Sequence, residues 1–410
     1  MDLSPSYLVG HPPLRITDAA PIPDADTGYY PHARMRLLPA SGAWREGDDP
    51  GDRRFVHLGT QVLESGDSLD VTVAYETWGE LNEDRSNAIL LCHALTGDSH
   101  VRSEDGTEGW WPGIVGPGRA IDTDRYFVVV PNVLGGCQGT TGPASRHPDG
   151  KPWARRFPRL TVRDQVHTEK ALMDHLGVPY WHLVAGASAG GHRVMEWPAT
   201  YPDHVEQFAV LVSAPETTAE QIAYAHQQIL AIKLDPAWRG GDYYDAPAGN
   251  GPHAGLGLAR AIAHTTYRCP TELDTRFDRT PQEGEDPMAG GRFSVQSYLD
   301  YHGYKLAARF DANSYLTLTE TMLTHSIGRG RGGVDRVLSE MTARALVVAV
   351  DTDRLFHPAD QARLAEALPG CEGLVTIHSD HGHDGFLVEN DQVTDLLSGF
   401  LQGESPRAVS

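Results

Sequence analysis

The segment VAGASAGGHRVMEW, Val184–Trp197, decides the fold. It opens as an apolar run, passes through small residues and a serine, and continues with helical spacing. Gly186, Ser188 and Gly190 spell G-x-S-x-G, with Gly191 following. Small residues at a strand-to-helix junction serve either a tight turn or an exposed nucleophile. In the second case the serine takes a strained backbone, its neighbours must be small, and the helix N-terminus adds its amide dipoles. The motif alone is weak, because Gly, Ala and Ser are common. The strand before it and the helix after it give it weight.

Outward from this junction the same alternation repeats. DVTVAYETWG alternates like a strand with one wet face, while NAILLCHAL, RYFVVVPNVL, YWHLVAGAS and VEQFAVLVSA are short apolar runs, as in central parallel strands. TVRDQVHTEKALMDHLGV and GGHRVMEWPATYP have helical spacing. Strands alternating with helices predict an α/β fold, with a mostly parallel central sheet and helices on both faces. After Pro215 the strand runs cease. TTAEQIAYAHQQILAIKL, GLGLARAIAHTTYR and SVQSYLDYHGYKLAARF are helical, and the sheet pattern returns with ARALVVAVDTD, PADQARLAEAL and GLVTIHSDHGHDGFL. The expected organisation is a core over 51–214 and 340–410, a helical lid insertion over 215–339, and a loosely ordered arm over 1–50, rich in Pro, Asp and Gly.

At 410 residues, 40% of them hydrophobic, the chain can bury one large core plus a lid. No apolar run reaches 18 residues and the N-terminus lacks the pattern of a signal peptide, so a cytoplasmic protein without a membrane partner is expected. A formal charge of −21 argues against nucleic acid, whose phosphates call for Lys and Arg. Cys92, Cys137, Cys269 and Cys371 form no C-x-x-C pair, which disfavours a zinc site or a disulfide framework.

A nucleophilic serine needs a base, and the base needs an orienting acid. On a parallel sheet they follow in the order serine, acid, histidine, on loops after late strands. ALVVAVDTDRLFHP offers Asp351 and Asp353; VTIHSDHGHDGFL offers His378, His381 and His383. These histidines with Asp380 also invite a metal, but ligands at such mixed spacing on one loop need further donors, so no metal is expected. Two amides are needed for the oxyanion: that of Ala189, after the serine, and one from LLCHALTGDSH, with Leu95 as donor. NVLGGCQGTTGP lacks the lysine and spacing of a nucleotide-binding loop and suits close packing near the site.

HALTGDSHV, GWWPGIVGPGRAIDTDRYFVVVPNVLGGCQGTTGPAS, RFPRLTVRDQV, DPAWRGGDYY, GRFSVQSYLDYHG and RGRGG together resemble the homoserine O-acetyltransferases of the α/β-hydrolase superfamily. The likeness runs from about Arg54 to about Leu397 and leaves out the arm. It implies an α/β-hydrolase fold and a double displacement in methionine biosynthesis. Acetyl-CoA would acylate the serine and L-homoserine would take the acetyl group, with no permanently bound cofactor and a homodimer assembled through the lid. Carried over by motif, Ser188 is the nucleophile, Asp353 the acid and His383 the base. Asp384 would hold the homoserine amino group, and Arg260 and Tyr267, in LARAIAHTTY, would bind its carboxylate and line the site. An amino-acid zwitterion calls for one cationic and one anionic partner, and arginine offers carboxylate a two-pronged fork.

The chain departs from the family pattern in three places. Ala189 follows the serine where the family usually has Met; Thr352 precedes Asp353 where Ser is common, with His357 between Phe356 and Pro358; and Asp351 adds a second carboxylate. Such a chain also admits L-serine or another amino alcohol as acceptor, since one methylene changes binding by only about 1–3 kcal/mol. Succinyl-CoA is an alternative donor. An esterase would share the triad and lack the need for Arg260, Tyr267 and Asp384, and a non-catalytic binding protein would not need serine, acid and histidine in order.

Overall fold

The computed structural model describes residues 33–106 and 108–405. The apolar runs form one eight-stranded sheet. Its strands are β1 (Arg54–Val62), β2 (Ser68–Trp78), β3 (Ala88–Cys92), β4 (Phe127–Pro131), β5 (Leu183–Ala187), β6 (Gln207–Leu211), β7 (Arg344–Val350) and β8 (Cys371–Ile377). The spatial order is β1-β2-β4-β3-β5-β6-β7-β8. β2 runs antiparallel to both its neighbours and every other pairing is parallel. Every residue of β3, β5 and β6 is buried, as expected of strands covered on both faces.

Alternation along the strands divides the core. Leu90, Val184, Val210 and Val347 face helices α1 (Val162–His175) and α2 (Ala189–Thr200), through Val166, Val194 and Trp197. Ile89, Leu183, Leu211 and Val348 face the other way, against Phe386, Leu397 and Phe400. Thr161 starts α1 with a capping box: its side chain receives the Asp164 amide, and the Asp164 side chain answers the Thr161 amide.

Between β6 and β7 the chain is helical: α3 (Ala219–Lys233), α4 (His253–Tyr267), α5 (Pro270–Phe277), α6 (Ser294–Arg309), α7 (Ala312–Leu323) and α8 (Val334–Glu340). Of these, α3, α4, α6 and α7 share a separate core, with Ile232, Leu256, Ala259, Leu306, Phe310 and Tyr315 at its centre. After β7 come α9 (Pro358–Ala367) and, past β8, α10 (Gly385–Val388) and α11 (Asn390–Leu401). No helix among the described residues is long and apolar enough to cross a membrane.

One short part of the arm is packed. Residues 1–32 lie outside the described residues, but Met35 and Leu38 are buried in the lid's core. The Gly249 amide donates to the Leu38 carbonyl (2.7 Å), and His253 Nε2 lies 2.7 Å from that of Pro39. Scattered apolar residues among prolines and glycines give no period to detect, yet Met35 and Leu38 find a socket among the inserted helices.

Candidate active site

Ser188 sits between β5 and α2 at φ 55°, ψ −127°. A side chain in that region costs on the order of 1–3 kcal/mol and persists only where neighbours dictate it. Here the Ser188 amide donates to Leu211 (3.1 Å), and its carbonyl receives Ser213 Oγ (2.8 Å) and the Gly191 amide (2.9 Å). Gly190 must lack a side chain: a Cβ there would lie 2.9 Å from the His93 carbonyl oxygen and closer still to that of Cys92. Ala189, the first residue of α2, has an amide that the helix itself cannot satisfy. Leu95 lies on the loop after β3 and lines the same cavity as Ser188.

The two late loops sort the acids and histidines. His383 Nδ1 lies 2.8 Å from Asp353 Oδ2, in a pair that solvent scarcely reaches. The other Asp353 oxygen receives the amides of Leu355 (2.8 Å) and Phe356 (3.0 Å), which fixes the carboxylate. Asp351 faces His378 instead, at 2.9 Å on the surface, and His381 faces Glu272 at 3.3 Å. The three histidines therefore turn to three different carboxylates. Phe356 stacks on the His383 ring (centroids 5.4 Å apart), with Tyr267 tilted over it at 5.7 Å. Among the described residues His383 Nε2 is buried without a hydrogen-bond partner. Burial works against a charged His383, but the charge and hydrogen bond of Asp353, helped by Asp384, outweigh it and hold its pKa above the usual imidazole value.

Ser188 and His383 line one cavity of about 400 Å³, whose remaining wall comes from the inserted helices, the loop after β3 and α10. Arg260 reaches Thr96 Oγ1 (3.4 Å) and lies over the Tyr267 ring at 5.3 Å. Asp384 lines the cavity too, paired with Arg268 Nη2 at 3.2 Å. Arg268, which also meets Glu272, four residues on, at 3.3 Å, escapes sequence reasoning because Asp384 comes from a distant loop. His264, on α4, is buried in the same wall, with neither ring nitrogen partnered among the described residues.

A second unforeseen group lies behind the serine. Arg193 of α2 pairs with Glu169 of α1, both buried, and Glu169 also accepts the Trp197 indole N–H at 2.8 Å. The detectable signal is a charged residue on a face otherwise apolar: Glu169 falls between Val166 and Leu172 in helical spacing, and all three are buried.

Sheet order, elbow and late acid–histidine loops define the class, the α/β hydrolases, and residues 87–389 match the family model described as alpha/beta hydrolase fold. The chain is 58% identical to the homoserine O-acetyltransferase of Thermobifida fusca (strain YX), over 90% of this chain and 99% of that one. Among solved structures, the homoserine O-acetyltransferase from Bacillus anthracis superposes with a TM-score of 0.78 at 28% identity, covering 87% of this chain and 98% of its own. Esterase E22 superposes almost as well: TM-score 0.77, 27% identity, 85% and 99% covered. The chain belongs to the homoserine O-acetyltransferase family.

Proposed function

We propose that the chain moves an acetyl group from acetyl-CoA to the hydroxyl of L-homoserine, in methionine biosynthesis, through an acyl-Ser188 intermediate. The observation that carries this reading is the buried Asp353–His383 pair, whose unpartnered Nε2 belongs to the same cavity as the strained Ser188. His383 Nε2 takes the Ser188 proton as Oγ attacks the thioester carbonyl. The Leu95 and Ala189 amides receive the oxyanion, the C–S bond breaks, and the thiolate leaves with the proton held by His383. The homoserine hydroxyl then gives its proton to His383 and attacks the acyl carbon. The bond to Oγ breaks and Ser188 is reprotonated. Asp353 holds the imidazole in the tautomer this cycle needs.

Acceptor choice falls to the lid and the loop after β8. Arg260 takes the substrate carboxylate, Asp384 takes the ammonium group, and Tyr267 packs between Arg260 and His383. Arg268 pairs with the Asp384 carboxylate and holds it in place. Likeness to esterase E22 makes water the rival acceptor, but a charged acceptor site of both signs has no use in cleaving apolar esters. We place the enzyme in the cytoplasm, as a homodimer packed through the lid, where Ile222, Leu230 and Leu258 expose apolar surface on α3 and α4.

The test follows thiol release from acetyl-CoA and succinyl-CoA, each against L-homoserine, L-serine and water. Acetyl transfer to homoserine far above the other pairings is expected; equal turnover with water makes the protein a hydrolase. Mass spectrometry of Ser188→Ala after mixing with acetyl-CoA is expected to show no acetylated protein, and an acetyl group retained by that variant would refute the nucleophile.

A further inference from the structure

We infer that His93 is a positioning residue for this reaction: its imidazole grips the Ala94 carbonyl and so aims the Leu95 amide at the oxyanion. The inference rests on the acyl-Ser188 reading above. His93 follows β3 directly and is almost wholly buried. Its Nδ1 lies 2.8 Å from the Ala94 oxygen, and its Nε2 lies 3.0 Å from the Val133 amide. A backbone amide can only donate and a carbonyl can only accept. The ring is therefore neutral, with its proton on Nδ1. Burial and the nearby Arg193 charge push its pKa down to about 3, so this form persists through the working pH range.

The consequence follows from peptide geometry. Ala94 C=O and Leu95 N–H belong to one planar trans unit and point in opposite directions. Holding the oxygen toward His93 turns the N–H the other way. The Gly97 amide also donates to the Ala94 oxygen (3.0 Å), closing a turn over the imidazole. Gly97 admits that approach because it has no side chain: a Cβ there would lie 2.9 Å from His93 Cβ and 3.1 Å from Nδ1. From the opposite side, Arg193 Nη2 donates to the His93 carbonyl at 2.6 Å. Arg193 lies on α2, whose first amide is that of Ala189, so one clamp ties both oxyanion donors together. A merely space-filling histidine would need neither bond to a fixed partner.

The experiment compares His93→Asn, His93→Gln and His93→Ala in both half-reactions. Asparagine places an N–H near the Nδ1 position, whereas glutamine reaches only toward the Nε2 position. We expect kcat to fall about 10–100-fold in the Gln and Ala variants and less than about threefold in Asn, a fraction of the 10²–10³ seen when an oxyanion donor is removed outright. KM should stay within about threefold for both substrates. Affinity for an alkylboronic acid, which forms a tetrahedral adduct on Ser188, should weaken in step with kcat, while CoA affinity holds. An Asn variant as slow as Gln, or a raised KM at unchanged kcat, overturns the assignment, and the Asn–Gln comparison stands even if the Ala variant does not fold. Acyl-enzyme formation in Ser188→Ala would sink the parent reading; its loss there, beside a Gln variant at full kcat, sinks this inference alone.

Discussion

Ser188 and Arg260 line one cavity, yet the regions that carry them are built differently. Around the serine, position is a property of the backbone: three wholly buried strands, a φ of 55°, and a glycine pressed against the chain after β3. Around the arginine, position is a property of side chains: a 3.4 Å bond to Thr96, a ring at 5.3 Å, and a neighbouring His264 with no hydrogen-bond partner among the described residues. A backbone scaffold holds its geometry whether or not substrate is present, as the proposed nucleophile and oxyanion donors require. Side chains that keep hydrogen-bonding capacity in reserve suit recognition. The core should therefore set turnover, and the lid should set which alcohol is accepted.

The sharpest way to break that division is Asp353→Asn. The amide keeps the shape but favours the wrong His383 tautomer, and kcat should fall by about 10⁴ in both half-reactions. The pH profile gives a second reading. The proposed base works only when neutral, so activity should rise with pH through the His383 pKa, which Asp353 and Asp384 hold above the usual value of about 6.5. Without the Asp353 charge the acid limb should move to lower pH. A limb that stays put would mean that another group titrates. Next in size is Gly190→Ala. Its methyl group would press on the backbone of Cys92 and His93, costing about 3 kcal/mol, the upper end for overpacking. The thermal midpoint should drop together with the yield of acyl-enzyme. A stable but inactive variant would show that the contact serves geometry alone.

The same division explains what the sequence disclosed. Strand runs, the elbow and the helical insertion are local patterns, and each was legible where it stands. Asp353 and His383 were legible as members of two short sets, but not as a pair by spacing alone. Asp351 and Asp353 both leave the end of β7, and only the three-dimensional turn sends one to His378 and the other to His383. The Arg268–Asp384 pair joins a lid helix's end to the loop after β8, and no periodicity links them. His93 carries its role through a single carbonyl, and a lone histidine after a strand announces nothing of the kind. The burial of Met35 and Leu38 was not legible for a related reason, since they become core only once the inserted helices supply the socket.

On the lid side, Arg260→Ala should raise the homoserine KM about 10–100-fold, the scale of a lost charge-assisted hydrogen bond of about 1.5–3 kcal/mol. The burst of CoA release in the absence of acceptor should hardly change. Equal damage to the burst would place Arg260 in the first half-reaction and undo the assignment of recognition to the lid.

The smallest effect tests the border between the two regions, at Ala189. Its side chain meets a void of about 20 Å³ shared with His192, Arg193 and Leu95, room for about one water. His192 lies one turn further along α2, fully buried, stacked on His325 of the loop after α7 (centroids 4.2 Å apart). Methionine, the residue the family pattern favours at position 189, needs more space than that void supplies while the imidazole occupies the adjoining site. Ala189→Met alone should therefore cost about 1 kcal/mol of stability through overpacking. The double variant Ala189→Met with His192→Ala should recover part of the loss, because the two positions share one volume and their effects are not additive. Additive losses in thermal unfolding would show that the space behind the oxyanion loop is not shared, and that the small residue after the serine belongs to the acyl pocket instead.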